Sequence, residues 1–397
     1  MEQSIPAHVP QDRVRDVDIY NIPGGEVDPF AAWKSIKDAS PDMFYTPHYG
    51  GYWVANSAEL VHRILTDTET FTSRQAVLVP DMPPGTPDFP PLMTDPPEHR
   101  AFRHPYNIAL SPSKVPELGD LARDAINRCI DTVIAQGECE FMADVALHVP
   151  IVVVMKLLGL PFEDRERLIP LVDAVTHGDN PQARGEAAMG VFAYCDEWVT
   201  RREQEPGEDL ISRFHRITVG DRPVSHMEVT ASVTILLLGG LDSVSHTMGF
   251  MMKFLAENPE HRRELVADPS KIPVAVDEML RRFSIVSTAR KVLKDVELDG
   301  VTLRAGEKII VEMCMHALDE RAWEDPMKVD FGRCPKKVPS FGEGPHKCVG
   351  MNLARTELNA LLEEWLRRIP EFEIKAAEKV VTMTGQNIGI HALPLSW

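Results

Sequence analysis

The stretch Phe341-Gly342-Glu343-Gly344-Pro345-His346-Lys347-Cys348-Val349-Gly350 constrains this chain more than any other. It sets one cysteine among closely spaced glycines directly ahead of an amphipathic helical run. Helical periodicity begins at Met351 and continues through Leu353, Ala354, Leu358, Leu361, Leu362 and Trp365. Cys348 therefore stands where the unpaired N–H groups of a helix start point outward. Those donors and the positive end of the helix dipole are expected to favour the sulfur as an anion. Gly344 and Gly350, lacking Cβ, are expected to let a flat, bulky ligand approach the backbone. A planar metallocofactor suits that socket. A lone cysteine in a glycine loop is more often a buried thiol, so the reading needs support from elsewhere in the chain.

The rest of the sequence narrows the setting. Lys plus Arg number 42 against 60 Asp plus Glu, and the net charge of −18 argues against nucleic acid as a partner. The six cysteines show no CxxC pair and no zinc-ligand spacing, which points to a reducing cytoplasm rather than a disulfide framework. Residues 1–25 are polar and interrupted by proline, without the apolar core of a signal peptide or membrane span, so no membrane association is expected.

Patterning along the chain predicts a mainly α protein with a small β portion, in a single domain over 1–397. Residues 1–28 read as an extended arm and Phe30 to Lys37 as a short helix. Aromatic alternation either side of Gly50-Gly51 reads as a hairpin, followed by a helix capped by Ser57. Val77 to Pro97 holds at least seven prolines and is expected to be a long ordered loop covering a pocket with Leu78, Phe89 and Leu92. Helical periods follow at 113–135, 141–158, 164–177, 184–205 and 225–256. Strands are expected around Asp299-Gly300, at Lys308 to Val311 and from Val380 to Pro394.

Two further constellations stand out. Leu238-Gly239-Gly240-Leu241-Asp242-Ser243 places paired glycines and an acid inside a long apolar helix. The glycines weaken it, a distortion there is expected to open a groove for a small ligand such as O2, and Asp242 with Ser243 offers an acid and a hydroxyl for proton relay. Glu278 and Arg281 stand at i and i+3, an ordinary ion-pair spacing that carries little meaning alone.

Taken together, F-x-x-G-x-H-x-C-x-G at Phe341 to Gly350, the acid–alcohol pair at Asp242-Ser243 and E-x-x-R at Glu278 to Arg281 resemble the cytochrome P-450 superfamily. The likeness is nearest its soluble bacterial, camphor-hydroxylating branch. It runs through Asp95 to Arg103, Leu238 to Ser243, Leu280 to Ser284, Val329 to Phe331 and Ala392 to Leu395. The resemblance implies a triangular helical body with haem b held between a long central helix and the cysteine-loop helix, and Cys348 as the axial thiolate ligand to iron. It implies that His99, Arg103, Arg290 and His346 contact the haem propionates, and that Phe341 and Gly350 frame the ring. The E-x-x-R pair becomes a fold-holding network whose third member is either Lys328 or Arg333. His177 falls where the family has a cationic partner for the relay aspartate, so a contact with Asp242 is expected.

The resemblance also implies an activity: insertion of one oxygen atom from O2 into a small hydrophobic substrate. Electrons would come from a [2Fe–2S] ferredoxin reduced by an NADH-dependent ferredoxin reductase, landing on a basic patch of Arg63, Arg100, Arg103 and Lys347. Residues matching the branch's substrate contacts are Leu78, Phe89, Leu92, Ile235, Leu238, Val286 and Asn387, an apolar set suited to a compact monoterpenoid. The camphor enzyme has a tyrosine in this loop, whereas here Pro87 precedes Asp88-Phe89, so no phenol is available to bind a ketone. A cineole-like ether or a norisoprenoid fits equally, with Gln386 or Asn387 as a replacement donor. A cytoplasmic monomer is expected. The rival readings are a haem-thiolate peroxygenase or dehydrogenase, and a non-enzymatic haem sensor.

Overall fold

Apolar residues spaced three and four apart dominate residues 98–283, and the structure, a computed structural model, answers with packed helices. It describes residues 5–76, 79–82, 85–177, 181–333, 335, 338–376 and 378–397. The helices are α1 (Pro29–Ala39), α2 (Ala58–Thr66), α3 (His99–Ala109), α4 (Val115–Val133), α5 (His148–Leu158), α6 (Arg165–His177) and α7 (Pro181–Gln204). After them come α8 (Leu210–Phe214), α9 (His226–Glu257), α10 (Pro259–Ala267), α11 (Ile272–Arg282), α12 (Met313–Ala317) and α13 (Met351–Arg368).

Local chemistry accounts for the boundaries. Ser57 caps α2 by accepting from Leu60 N at 3.2 Å. Ser225 and Glu228 form a reciprocal capping box at the start of α9. The helix expected over 141–158 is divided. A π turn spans Met142–Ala146, where Leu147 N–H reaches back to Met142 O at 3.1 Å, and α5 begins only at His148. Pro150 has no N–H to offer the carbonyl of Ala146, which accepts instead from Ser245 Oγ at 3.0 Å.

The 32-residue α9 crosses the core. It is long and apolar enough to span a membrane, but Val233, Leu237, Leu241, Met248 and Met251 are buried against other helices of this chain. It remains α-helical throughout, so the distortion expected at Gly239-Gly240 is absent. A glycine costs a helix about 1 kcal/mol relative to alanine, which burial of one such apolar side chain offsets, at about 1.5–3 kcal/mol.

The β portion is small. Its five-stranded sheet has the order Met43–Thr46, Tyr52–Ala55, Lys308–Glu312, Ser287–Val292, Phe71–Thr72. The first two strands form the expected hairpin, with Phe44 opposite Val54. Tyr52–Ala55 then runs parallel to Lys308–Glu312, Trp53 opposite Ile309 and Ala55 opposite Val311. Val296–Leu298 and Val301–Leu303 pair across Asp299 and Gly300, both with positive φ, as a two-residue hairpin turn requires. Near the C-terminus Val381–Met383 pairs with Gly389–Ala392. The described part of 79–97 contains neither helix nor strand, yet Val79 and Met93 are buried, so the proline-rich loop is anchored as expected. The fold is mainly α with a small β portion, the class read from the sequence.

Candidate functional site

The cysteine loop is built by two short 3-10 turns, Pro339–Phe341 and Gly344–His346, leading to α13. Cys348 N–H donates to Phe341 O at 2.8 Å, closing the loop on itself. Phe341 is buried behind it with the Arg355 guanidinium 4.7 Å over its ring. Gly344 has φ +70°, and a Cβ there would collide with the Leu65 carbonyl at the end of α2. Gly344 therefore seats the loop against α2 rather than clearing space for a ligand, as the sequence had suggested. A Cβ on Gly350 would lie 3.9 Å from the cysteine sulfur, an ordinary contact, so that glycine is not sterically demanded either.

Cys348 is exposed, yet surrounding protein atoms dominate its titration. Burial pushes its thiol up. The Gly350 N–H and the charges of Arg103, Arg355 and Lys347 oppose that without reversing it. The helix-start N–H thus favours the anion, as expected, while burial acts in the other direction.

A cluster of basic side chains lies beside the loop, two of them arginines and two histidines. His99 and His346 stack edge to face, with ring centroids 4.6 Å apart. Burial together with Arg290, His99 and Arg103 drives His346 down to about 2. Burial and Arg103 drive His99 to about 4. Arg290 is 3% exposed, and burial lowers it to about 10. Arg103 donates to Lys347 O in the cysteine loop and to Asn107 Oδ1 at 3.3 Å. His346 Nε2 is 3.0 Å from Ser73 Oγ, whereas His99 Nε2 is buried without a hydrogen-bond partner among the described residues. The four groups named from sequence are thus brought together, and burial lowers all four while the arginines lower the two imidazoles further, which marks a place suited to anions.

On the central helix the two glycines differ. A Cβ on Gly240 would come within 2.8 Å of Val154 Cγ2, so this glycine permits close packing of α9 on α5, while a Cβ on Gly239 would meet nothing within 4 Å. The space beside Gly239 is therefore open on an intact helix, without the distortion expected there. Ser243 Oγ, one turn on, donates to Gly239 O at 3.0 Å. Asp242 Oδ2 accepts from Asn387 Nδ2 at 2.7 Å, and its Oδ1 is 3.0 Å from His246 Nε2. Burial works against a charged His246, yet Asp242 outweighs it and raises the imidazole above its ordinary value. The side chain of His177 lies outside the described residues, and with it the expected contact to Asp242.

The apolar residues assigned to a substrate pocket, Phe89, Leu92, Ile235, Leu238 and Val286, are all half-buried, as cleft walls are. Phe89 meets Phe192 edge to face at 6.5 Å. Leu78 lies outside the described residues. Val286 bridges to Asn387, while the Asn387 amide turns to the helix acid instead of serving as an uncommitted donor. Gln386 Nε2 donates to Ser287 O at 2.9 Å.

The ion pair that meant little in sequence is wholly buried. Glu278 and Arg281 are both 0% exposed and meet in a two-pronged contact of 2.9 Å each. Arg333 Nε reaches Glu278 Oε1 at 3.1 Å and is the third member, whereas Lys328 contributes only its carbonyl, to Arg281. On the outside, Arg63, Arg100 and Lys347 are exposed with no ion-pair partner among the described residues. Sequence reasoning missed His246, Ser73 and Arg355. Only His246 had a signal, its i+4 spacing from Asp242.

Comparison with known proteins agrees with this geometry. The family model for cytochrome P450 matches residues 272–396. The probable cytochrome P450 127A1 of Sinorhizobium fredii is 33% identical, the alignment covering 99% of this chain and 97% of that protein. A crystal structure of CYP101J2 superposes with a TM-score of 0.90 at 35% identity, covering 100% of this chain and 99% of the other. One of CYP101C1 gives 0.89 at 35%, covering 99% and 100%. With a relative matched end to end and neighbours that share this helical body, the chain belongs to the cytochrome P450 family.

Proposed function

We propose that this protein is a ferredoxin-dependent monooxygenase that hydroxylates a compact, mostly apolar molecule of monoterpenoid size. Members of the family bind haem through an axial cysteine thiolate, and the family supplies the oxidoreductase chemistry. The residues present fit that group. His99 Nε2 is a buried donor or acceptor without a partner among the described residues, and Arg103, Arg290 and His346 lie near it, cations and an N–H donor of the kind two propionates require. Cys348 is exposed beside Arg103, and coordination removes a thiol proton whatever the protein does to its intrinsic titration. Bound haem supplies the redox centre at which O2 is reduced and one of its atoms transferred.

The protein's own side chains do the rest. Gly239 leaves open space on α9, and Ser243 and Asp242 stand about one turn on with a hydroxyl and a carboxyl able to pass protons. Phe89, Leu92, Ile235, Leu238 and Val286 exclude water and orient an apolar substrate by shape. No tyrosine hydroxyl stands in the 79–97 loop, and both Gln386 and Asn387 have acceptors within the protein, which favours a hydrocarbon or ether over a ketone. Exposed Arg63, Arg100 and Lys347 on the cysteine side of a chain with net charge −18 form a local landing site for an acidic electron donor.

The observations that carry the reading are the exposed Cys348 in its glycine loop and the Asp242–Ser243 pair one turn from the open space at Gly239 on α9. The test is a titration of the purified haem protein with a panel of small terpenoids, followed by turnover with a [2Fe–2S] ferredoxin and its NADH-dependent reductase. A thiolate-type ferrous carbon monoxide spectrum, a spin-state change and a hydroxylated product are expected. A carbon monoxide adduct without the red-shifted Soret band would overturn the thiolate assignment. Turnover by peroxide alone, insensitive to loss of Asp242 and Ser243, would favour a peroxygenase.

A further inference from the structure

The acid of the central helix is not left to that helix. Its Oδ2 accepts from Asn387 Nδ2 at 2.7 Å, and its Oδ1 faces His246 Nε2 at 3.0 Å. His246 is 1% exposed, and its Nδ1 lies 3.2 Å from both N and O of Ile390. The Ile390 N–H donates to Nδ1, which leaves the ring proton on Nε2, directed at the carboxylate. A Cβ on Gly389 would come within 3.1 Å of His246 Cε1, so the strand at Gly389–Ala392 packs against the ring closely enough to fix it. Both oxygens of Asp242 are thus tied to the turn at 387–390, one directly and one through an imidazole.

That turn is also part of the cleft wall. Asn387 bridges to Val286, Ile388 N–H donates to Ile285 O at 2.8 Å, and Ser287 N–H donates to Gln386 O at 3.0 Å. A displacement of Val286 by a substrate is therefore transmitted to Asn387 through paired backbone.

We propose that Asn387 and His246 are positioning residues which hold the relay acid Asp242 from the C-terminal turn, and that Asn387 couples the fit of substrate against Val286 to the orientation of that acid. The inference rests on the relay reading given above. Asn387 acts through Asp242 and not by binding substrate, which separates it from the other wall residues.

The test uses the haem-loaded protein and four variants: Asp242→Asn, Asn387→Ala, His246→Gln and His246→Leu. The Asp242 carboxylate stretch is identified by infrared difference spectroscopy as the band lost in Asp242→Asn. Asn387→Ala is expected to shift that band and to lower product formed per NADH by about tenfold, since a charge-assisted hydrogen bond to the acid is lost. Its substrate dissociation constant, read from the optical spin-state titration, should change less than about twofold. His246→Gln, whose amide can replace Nε2–H, should retain most of the coupling that His246→Leu loses. A band unmoved in Asn387→Ala, or a loss confined to substrate affinity, overturns the proposal. If Asp242→Asn itself leaves oxygenation unchanged, the relay reading fails. If it slows oxygenation while Asn387→Ala does not, only the present inference fails.

Discussion

Replacing Glu278 by Gln should be among the most damaging conservative changes available in this chain. Its carboxylate accepts from Arg281 Nε and Nη2 at 2.9 Å each, and from Asp330 N and Arg333 Nε at 3.1 Å each. The remaining N–H groups of Arg281 go to the carbonyls of Ala317, Pro326 and Lys328 at 3.1, 2.9 and 3.0 Å. Neither side chain of the pair touches solvent, so a neutral amide leaves an uncompensated buried guanidinium and turns an NH2 toward its donors. Removing one partner of such a pair costs about 3–5 kcal/mol. Arg333→Ala makes the control, because Arg333 is 15% exposed and gives Glu278 a single contact of 3.1 Å, so about 1–2 kcal/mol is expected. Urea unfolding of the haem-loaded protein, followed by far-UV circular dichroism, should show a midpoint lowered by about 1–2 M for Glu278→Gln at a slope of about 2–3 kcal/mol/M. Because the three carbonyls lie on the approach to the cysteine loop, the fraction giving a thiolate-type carbon monoxide adduct should fall in parallel. A loss below about 1 kcal/mol for Glu278→Gln, or equal losses for the two variants, would refute the view that this pair anchors the loop.

The two helix glycines should respond oppositely. Gly239→Ala adds a Cβ that meets nothing within 4 Å and should raise the thermal midpoint, by about 1 kcal/mol of helix preference, while weakening carbon monoxide binding in the cleft. Gly240→Ala meets Val154 Cγ2 at 2.8 Å and should lower the midpoint, overpacking costing about 1–3 kcal/mol. Arg100→Glu should slow reduction by a [2Fe–2S] ferredoxin and flatten its salt dependence in stopped-flow measurements, with substrate affinity unchanged. At the start of α9, burial disfavours a charged His226, but Glu203 and Asp196 on α7 outweigh it and raise the imidazole above 6.5. Its stabilising contribution is therefore complete below pH 6.5 and lost as pH rises through the raised folded value. The stability gap between the native protein and His226→Asn should accordingly narrow between neutral and alkaline pH in denaturant titrations.

Local signals made most of the scaffold legible. The Ser57 cap, the aromatic alternation around Gly50-Gly51 and the apolar periods of α4, α7 and α9 are properties of neighbouring residues, and each element formed where it was expected. His99 and Arg103 could be paired in advance because both stand on α3. Long-range partnerships were less accessible. Asn387 read as a substrate contact because its register placed it on the cleft wall, but its amide found an acid 145 residues away. The choice between Lys328 and Arg333 depended on which end of a turn reached Glu278. The expected break at Gly239-Gly240 followed intrinsic propensity, which the packing of α9 overrides. The expected thiolate agrees with the family's haem ligation; the Gly350 N–H at the helix start works toward it, and burial works against it.

The parallel pairing of Tyr52–Ala55 with Lys308–Glu312 carries a consequence for how the molecule comes into being. The hairpin emerges early from the ribosome, but its neighbour follows only after about 250 more residues, on the order of 10–50 s of synthesis. Until then the inner hairpin strand presents an unpaired edge, an invitation to misassociation that a chaperone would be well placed to cover. Maturation is thus gated by the arrival of the last quarter of the polypeptide, and truncation there should leave an aggregation-prone remnant rather than a smaller working enzyme.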